Sequence, residues 1–248
     1  MAARMEQAAE GVVLALGGVN AFRGPAHVLR GISLHVNRGE TVCLVGRNGA
    51  GKTTTMASIM GTVPVQAGTV TFNGREITRL APHRRARLGI GYAPDDCGIF
   101  SELTVSENLR IGSWMAAAGN REGDGPAEDG QIYDLFPELR RLLQRKGLHL
   151  SGGEKKMVAI ARAMALRPSA LLLDEAFEGL APVVVNRFAD AVHKIKEMGI
   201  SLLVAESNVT TAAQVADRLY VIDRGEIIFK GTPKEAFATE DVMRTLRG

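Results

Sequence analysis

Three short segments of this 248-residue chain carry residue types whose spacing suits phosphate chemistry. The first, Gly46-Arg47-Asn48-Gly49-Ala50-Gly51-Lys52-Thr53, fits the pattern G-x-x-x-x-G-K-S/T and runs on into Thr54. In such a loop the glycines let backbone N–H groups converge on phosphate oxygens, and the following helix adds the partial positive charge of its N-terminus. Lys52 would neutralise β- and γ-phosphates, and Thr53 would ligate Mg2+. The second segment, Leu171-Leu172-Leu173-Asp174-Glu175, ends an apolar run in two acids. Asp174 suits Mg2+ held through water, and Glu175 suits orienting or deprotonating an attacking water. Paired acids alone would read as a helix cap; beside the loop they read as the other half of a nucleotide site. The third, Leu150-Ser151-Gly152-Gly153-Glu154, puts an N-cap serine and glycine amides at a helix start, another potential phosphate-binding end. It lies 23 residues before Asp174 and 99 after Lys52.

Elements must hold these segments together. Residues 12–16 and 28–36 read as strands, and the nearly continuous apolar run 40–45 suits a strand buried on both faces, feeding the loop and a helix through Met60. A strand at 68–72 enters a tight turn at Asn73-Gly74, and another at 88–93 is closed by Pro94. From Thr104 to Lys146 the character changes. Thr104 and Glu107 have capping-box spacing for a helix to about Ala118. A Gly- and acid-rich surface loop is expected at 119–130, then helix at 132–146 interrupted at Pro137. Alternation resumes with a helix at 154–166, a buried strand at 170–174, a helix at 182–198 with proline in its first turn, and a strand at 201–205. A hairpin around Arg224-Gly225 pairs 220–223 with 226–229, and a last helix starts near Pro233. The reading is one α/β domain with a helical insertion.

Composition sets outer bounds. With 46% hydrophobic, 23% charged and 5% aromatic residues, the chain is neither disordered, collagen-like nor a disulfide scaffold. Its two cysteines, Cys43 in an apolar run and Cys97 in a loop, are expected to be reduced thiols. No apolar run approaches the roughly 18–20 residues that span a bilayer, and residues 1–10 hold two acids and no apolar core of a signal peptide. A net charge of +3, from 30 basic and 27 acidic residues, argues weakly for any polyanion partner. The basic run His83-Arg84-Arg85-Ala86-Arg87 reads as a solvated helix face, because no aromatics are interleaved for base stacking. The five histidines show no metal spacing.

Taken together, the chain resembles the ATP-binding subunit of ABC transporters over nearly all its length, with LSGGE matching the signature of that family. The resemblance implies an α/β, P-loop NTPase cassette with an N-terminal antiparallel β region and a helical, signature-bearing subdomain. The catalytic core would cover about 10–94 and 168–248, the helical subdomain about 95–167. It implies ATP and Mg2+ as ligands, with residues 46–54 on the phosphates and Ser151, Gly152, Gly153 and Glu154 of a facing subunit closing the site head to tail. It further implies a second homologous ATPase or a homodimer, membrane-spanning permease subunits and, indirectly, a periplasmic or extracellular binding protein. The place would be the cytoplasmic face of the inner membrane.

Finer matches resemble the second ATPase subunit of the subfamily importing branched-chain and other hydrophobic amino acids: GRNGAGKTTT, RLGIGYAPDD, IFSELTVSENL, LFPEL and EGLAP. There Asp95 takes the place of the usual glutamine and would reach toward Mg2+ or the water. Other positions depart from the wider family. The adenine-stacking aromatic is Phe22 displaced by one place, or Arg23 in its stead; the switch histidine is Ser207; the proline after the acid pair is Ala176; and the aspartate that follows is Ala181. With Lys52, Asp174 and Glu175 present but Ser207 and Asp95 short, the expectation is firm MgATP binding and slow hydrolysis. Two alternatives stand beside amino-acid uptake. One is another cassette transporter, of urea or lipopolysaccharide. The other is a cassette ATPase acting on DNA or ribosomes, which would carry long coiled coils or tandem cassettes that this chain lacks; no nucleic acid is expected as partner.

Overall fold

The computed structural model describes residues 11–117 and 129–247. The absence of a signal peptide from 1–10 and most of the loop expected at 119–130 fall outside them; Asp129 and Gly130 open a helix.

A central sheet of six strands carries the fold. Its first strand in sequence is β3 (Thr41–Val45), all five residues buried, and the others are β6 (Ile90–Ala93), β7 (Ala170–Asp174), β8 (Ser201–Glu206), β9 (Arg218–Asp223) and β10 (Glu226–Gly231). The order is β10-β9-β3-β8-β7-β6, parallel from β9 to β6 with β10 antiparallel at the edge. Side chains of a strand alternate between faces, so Cys43 and Val45 enter one hydrophobic cluster and Val42 and Leu44 the other. Leu171 and Leu173 likewise oppose Leu172. Both cysteines are free and buried.

A second, antiparallel sheet covers one face: β1 (Val12–Arg23), β2 (Ala26–Asn37), β4 (Val65–Phe72) and β5 (Arg75–Glu76), ordered β2-β1-β4-β5. β1 runs seven residues beyond the expected end at Leu16, so Phe22 and Arg23 stand on a strand rather than in a loop. Helix α1 (Lys52–Met60) packs into the cluster between the sheets.

Against the other face lie α3 (Val105–Ala117), α4 (Asp129–Leu135), α5 (Leu139–Leu142), α6 (Gly152–Ala165), α7 (Pro182–Glu197) and α8 (Val209–Val215). The expected capping box at α3 forms: Glu107 N–H donates to Thr104 Oγ1 at 3.2 Å, and Thr104 N–H to Glu107 Oε2 at 2.7 Å. α9 (Pro233–Ala238) and α10 (Glu240–Arg247) follow β10. Helix α8 and the break between α9 and α10 went unread in the sequence.

The basic run is corrected by the structure. Leu88 ends helix α2 (Pro82–Leu88) rather than starting the following strand, and Arg85 is 2% exposed. Its guanidinium donates to four carbonyl oxygens: Leu80, Ser58, Ile59 and Thr78. A fork with five N–H groups can serve several acceptors at once, which makes a buried arginine tolerable without a carboxylate. The run is therefore not wholly a solvated face.

Arg218, opening β9, donates through Nε and Nη2 to the two oxygens of Glu40, each at 2.7 Å, while Asn37 N–H donates to Glu40 Oε2 at 2.8 Å. Burial pushes the Glu40 carboxyl up, but these bonds outweigh it and hold the carboxyl below its ordinary value. A depressed carboxylate contributes stability above its unfolded value and loses it as pH falls through the folded one. Glu40→Gln is therefore expected to cost about 1 kcal/mol at pH 7, discounted for partial solvation, and to soften the stability loss below about pH 4.5. Urea melts at pH 7 and pH 4 check this; an equal cost at both would contradict it.

Candidate functional site

The carboxyl ends of β3, β8, β7 and β6 share one edge of the central sheet, where open α/β sheets place their ligands. β3 delivers residues 46–51 there. Gly46 is required sterically: a Cβ on it would lie 2.3 Å from the Ile222 carbonyl oxygen. Gly51 caps α1 at φ 119°, a backbone open to glycine, and contributes no side chain to the helix amides. The first turn of α1 has no acid either, so its N–H groups are left for an anion.

Lys52 folds back over this loop. Its Nζ donates to Gly46 O at 2.7 Å and Arg47 O at 3.2 Å and pairs with Glu175 Oε1 at 2.9 Å, both side chains nearly fully buried. Thr53 Oγ1 donates to Asp174 Oδ1 at 3.3 Å, and the Tyr92 hydroxyl donates to Asp174 Oδ2 at 3.3 Å. Burial pushes the Asp174 carboxyl up to about 6. The Thr53 hydrogen bond opposes that rise, and the charges of Glu175 and Asp95 add to it. Burial and Asp174 together also raise the Tyr92 hydroxyl.

Glu175 closes β7 in the left-handed region, φ 50°, uncommon for a residue with a side chain. Five contacts hold it there: its N–H donates to Ala205 O at 3.0 Å, its Oε1 meets Lys52, its Oε2 accepts from Ser207 N–H at 3.2 Å, and its carbonyl accepts from Lys156 Nζ and from Glu178 N–H at 3.2 Å. Next to it Glu206, 1% exposed, accepts from Phe177 N–H at 3.0 Å, and burial pushes its carboxyl up to about 8.

Asp174 and Thr53 form a hard-oxygen pair already in hydrogen-bond contact. A divalent cation such as Mg2+ that keeps several waters needs only one or two protein oxygens plus substrate phosphates, so these residues fit it. Among the described residues no cluster of three His, Cys, Asp or Glu gathers for a metal.

The structure sorts the other sequence candidates. Arg23, Asn48, Lys52, Thr53, Asp95 and Glu175 line one open cleft of about 420 Å³, with Arg23 Nε donating to Thr54 Oγ1 at 3.2 Å. Gly49 and Gly51 line it too. Phe22 stands on the opposite face of its strand and stacks on His27, ring centroids 4.3 Å apart and planes at 8°. Ser207 lines an adjoining recess with Arg47, Gly49 and Ala50. Ser151 caps α6 through a capping box, its Oγ accepting from Glu154 N–H at 3.3 Å and its N–H donating to Glu154 Oε2 at 2.7 Å. Ser151 and Gly152 are exposed, and none of residues 151–154 lines the cleft of their own chain. Sequence reasoning missed Tyr92, Lys156 and Glu206. Tyr92 lay within a quoted motif, Lys156 two residues past LSGGE and Glu206 beside Ser207, but only the strand order and the start of α6 turn them inward.

In sequence and fold the chain is similar to known proteins. A family model described as "ABC transporter" matches residues 29–178. An uncharacterized ABC transporter ATP-binding protein of Rhizobium meliloti is 36% identical, covering 96% of this chain and 87% of its own. The lipopolysaccharide export system ATP-binding protein LptB of Escherichia coli is 38% identical, covering 92% and 93%. A probable branched-chain amino acid transport ATP-binding protein LivF of Archaeoglobus fulgidus is 35% identical, covering 93% and 96%. Among solved structures, the ADP conformation of an ATP-binding cassette of an ABC transporter superposes at TM-score 0.80 with 28% identity, over 96% of this chain and 99% of that one.

Proposed function

The chain belongs to the ABC transporter family as its ATP-binding, ATP-hydrolysing cassette, and we propose that it energises uptake of branched-chain or other hydrophobic amino acids. The convergence of Lys52, Thr53, Asp174 and Glu175 at one sheet edge supports the ATPase chemistry. Among the described residues no helix is long and apolar enough to cross a membrane. In this proposal the chain sits peripherally on the cytoplasmic face of the inner membrane, and separate permease subunits span it. Because residues 151–154 lie outside their own cleft, a second copy or a homologous ATPase would bring Ser151 and Gly153 to the nucleotide. Residues 95–167 would form the lobe that carries them.

In the proposed cycle Lys52 exchanges Glu175 for the β- and γ-phosphate oxygens. That frees the Glu175 carboxylate to orient or deprotonate the attacking water while Ser207 N–H still holds its Oε2. Thr53 and Asp174, with Asp95 nearby, would hold Mg2+, which supplies charge neutralisation at the phosphates. Arg23, rather than Phe22, would lie against the base through its guanidinium plane, a reading supported by its place in the cleft.

Slow hydrolysis is part of the proposal, since a serine at position 207 reaches less far than an imidazole. Ser207→His is expected to raise ATP turnover of the assembled transporter several-fold; unchanged turnover would remove the deficit assigned to that position. For the cargo, EGLAP and the run through Asp95 support amino-acid uptake, as does the likeness to LivF. The 38% identity to LptB favours lipopolysaccharide export as a second reading. Purifying the tagged chain with its membrane partners separates the two. Recovery of a solute-binding protein carrying leucine supports uptake, whereas lipopolysaccharide bound to the permease supports export.

A further inference from the structure

Lys156 stands one turn into α6, the helix that Ser151 caps, and is half-buried. Its Nζ donates to the main-chain carbonyl of Glu175. Among the described residues it makes no ion pair with a carboxylate, although its charge acts on Glu206 and on the Cys97 thiol. Six residues on, Arg162 of the same helix donates to Cys97 O at 3.0 Å and Gly98 O at 2.7 Å, and its guanidinium lies over Phe100. One helix thus grips the main chain of both segments that bring acids to the cleft, the one after Asp174 and the one after Asp95.

The left-handed backbone at Glu175 makes this grip consequential. A side-chain-bearing residue in that region persists only when its surroundings over-determine it. The Ala205 and Ser207 contacts hold Glu175 from β8 and the segment following it, and Lys52 holds its carboxylate, but that last contact is the one a bound phosphate competes for. Once Lys52 turns to phosphate, Lys156 is the cation still fixing the peptide that follows the acid, sharing its carbonyl with the Glu178 N–H at 3.2 Å.

We infer that Lys156 is a positioning residue for Glu175, tying the helix that carries Ser151 to the acid of its own chain's site. The inference rests on the reading of Glu175 as the group that activates water. A misplacement of about 1 Å in such a group costs up to about 100-fold in rate, and loss of one of several holding contacts on the order of 10-fold. Since Lys156 touches no phosphate-loop residue, nucleotide affinity should be spared.

ATP turnover by the assembled transporter carrying the wild-type or variant chain tests this. Lys156→Ala is expected to lower kcat about 10-fold with KM for ATP within about twofold and little change in Tm. Lys156→Arg, which keeps a cationic donor, should restore most of the rate. In a Glu175→Gln background Lys156→Ala should add little further loss, because both act through one carboxylate. An unchanged kcat overturns the inference, as does a loss matched in KM or Tm that arginine does not rescue, or full additivity with Glu175→Gln. A wild-type assembly that does not hydrolyse ATP instead overturns the underlying reading of the site, and the inference with it.

Discussion

Lys52→Ala is expected to abolish measurable ATP hydrolysis, by at least about 10²–10³-fold, and to weaken ATP binding severely. The ammonium lies over a loop of backbone amides, where it would supply the full positive charge facing the phosphates. The same change should also destabilise the empty protein. Glu175 is 5% exposed and its carboxylate is balanced by Lys52 alone among its ion pairs in the described residues. Removing one partner of a buried pair leaves a charge without compensation and typically costs about 3–5 kcal/mol. The two effects can be told apart. Lys52→Ala combined with Glu175→Gln should recover most of the lost stability, because no buried carboxylate remains, yet recover none of the turnover. Titration calorimetry with ATP and denaturant unfolding of the single and double variants measure both. Wild-type ATP affinity in Lys52→Ala would contradict the assignment of the loop.

Arg85→Ala is expected to give the largest purely structural loss, more than about 3 kcal/mol. Ser58 and Ile59, two of its acceptors, belong to the last turn of α1, where the helix dipole is negative; the Ser58 carbonyl also accepts from Gly61 N–H at 3.2 Å, while Ile59 has Arg85. Thr78 and Leu80 come from the segment leading to α2. One guanidinium therefore joins the far end of the phosphate-loop helix to its surroundings. Each orphaned buried acceptor costs about 1–3 kcal/mol, and the emptied volume adds to that. Gly61 is shaped to the same group: a Cβ there would meet Arg85 Cζ at 2.7 Å, and its φ of 78° strains any other residue. Arg85→Lys should rescue little, since one ammonium cannot reach four carbonyls. Urea unfolding at pH 7 checks both; a loss below 1 kcal/mol in the alanine variant would contradict the role.

The sequence expresses local periodicities and caps well. The apolar run ending at Val45 becomes a strand buried on both faces, Thr104 forms the box its spacing foretells, and Ser151 is the N-cap it was expected to be. The acid pair sits at the end of its strand, as Leu171-Leu172-Leu173 requires. Errors arise where burial depends on what lies opposite. Arg85 looks like one more surface cation until α1 is placed beside it. Phe22 and Arg23 could each face the cleft until β1 is known to continue through both, which sends them to opposite sides.

The residues alone expressed a loop of the G-x-x-x-x-G-K-S/T pattern, an acid pair and a serine-capped glycine turn, set among alternating strands and helices. These are properties of short stretches, set by backbone freedom at glycine, by side-chain period and by helix-end chemistry. Tertiary structure decided that β8 lies between β3 and β7. That order brings Glu206 and Ser207 between loop and acid pair, and with α6 it brings Lys156 to the Glu175 carbonyl. Strand order in a parallel sheet is fixed by packing between segments more than a hundred residues apart. No local pattern encodes it, because the side chains that meet there are adjacent only once both faces of the sheet are buried.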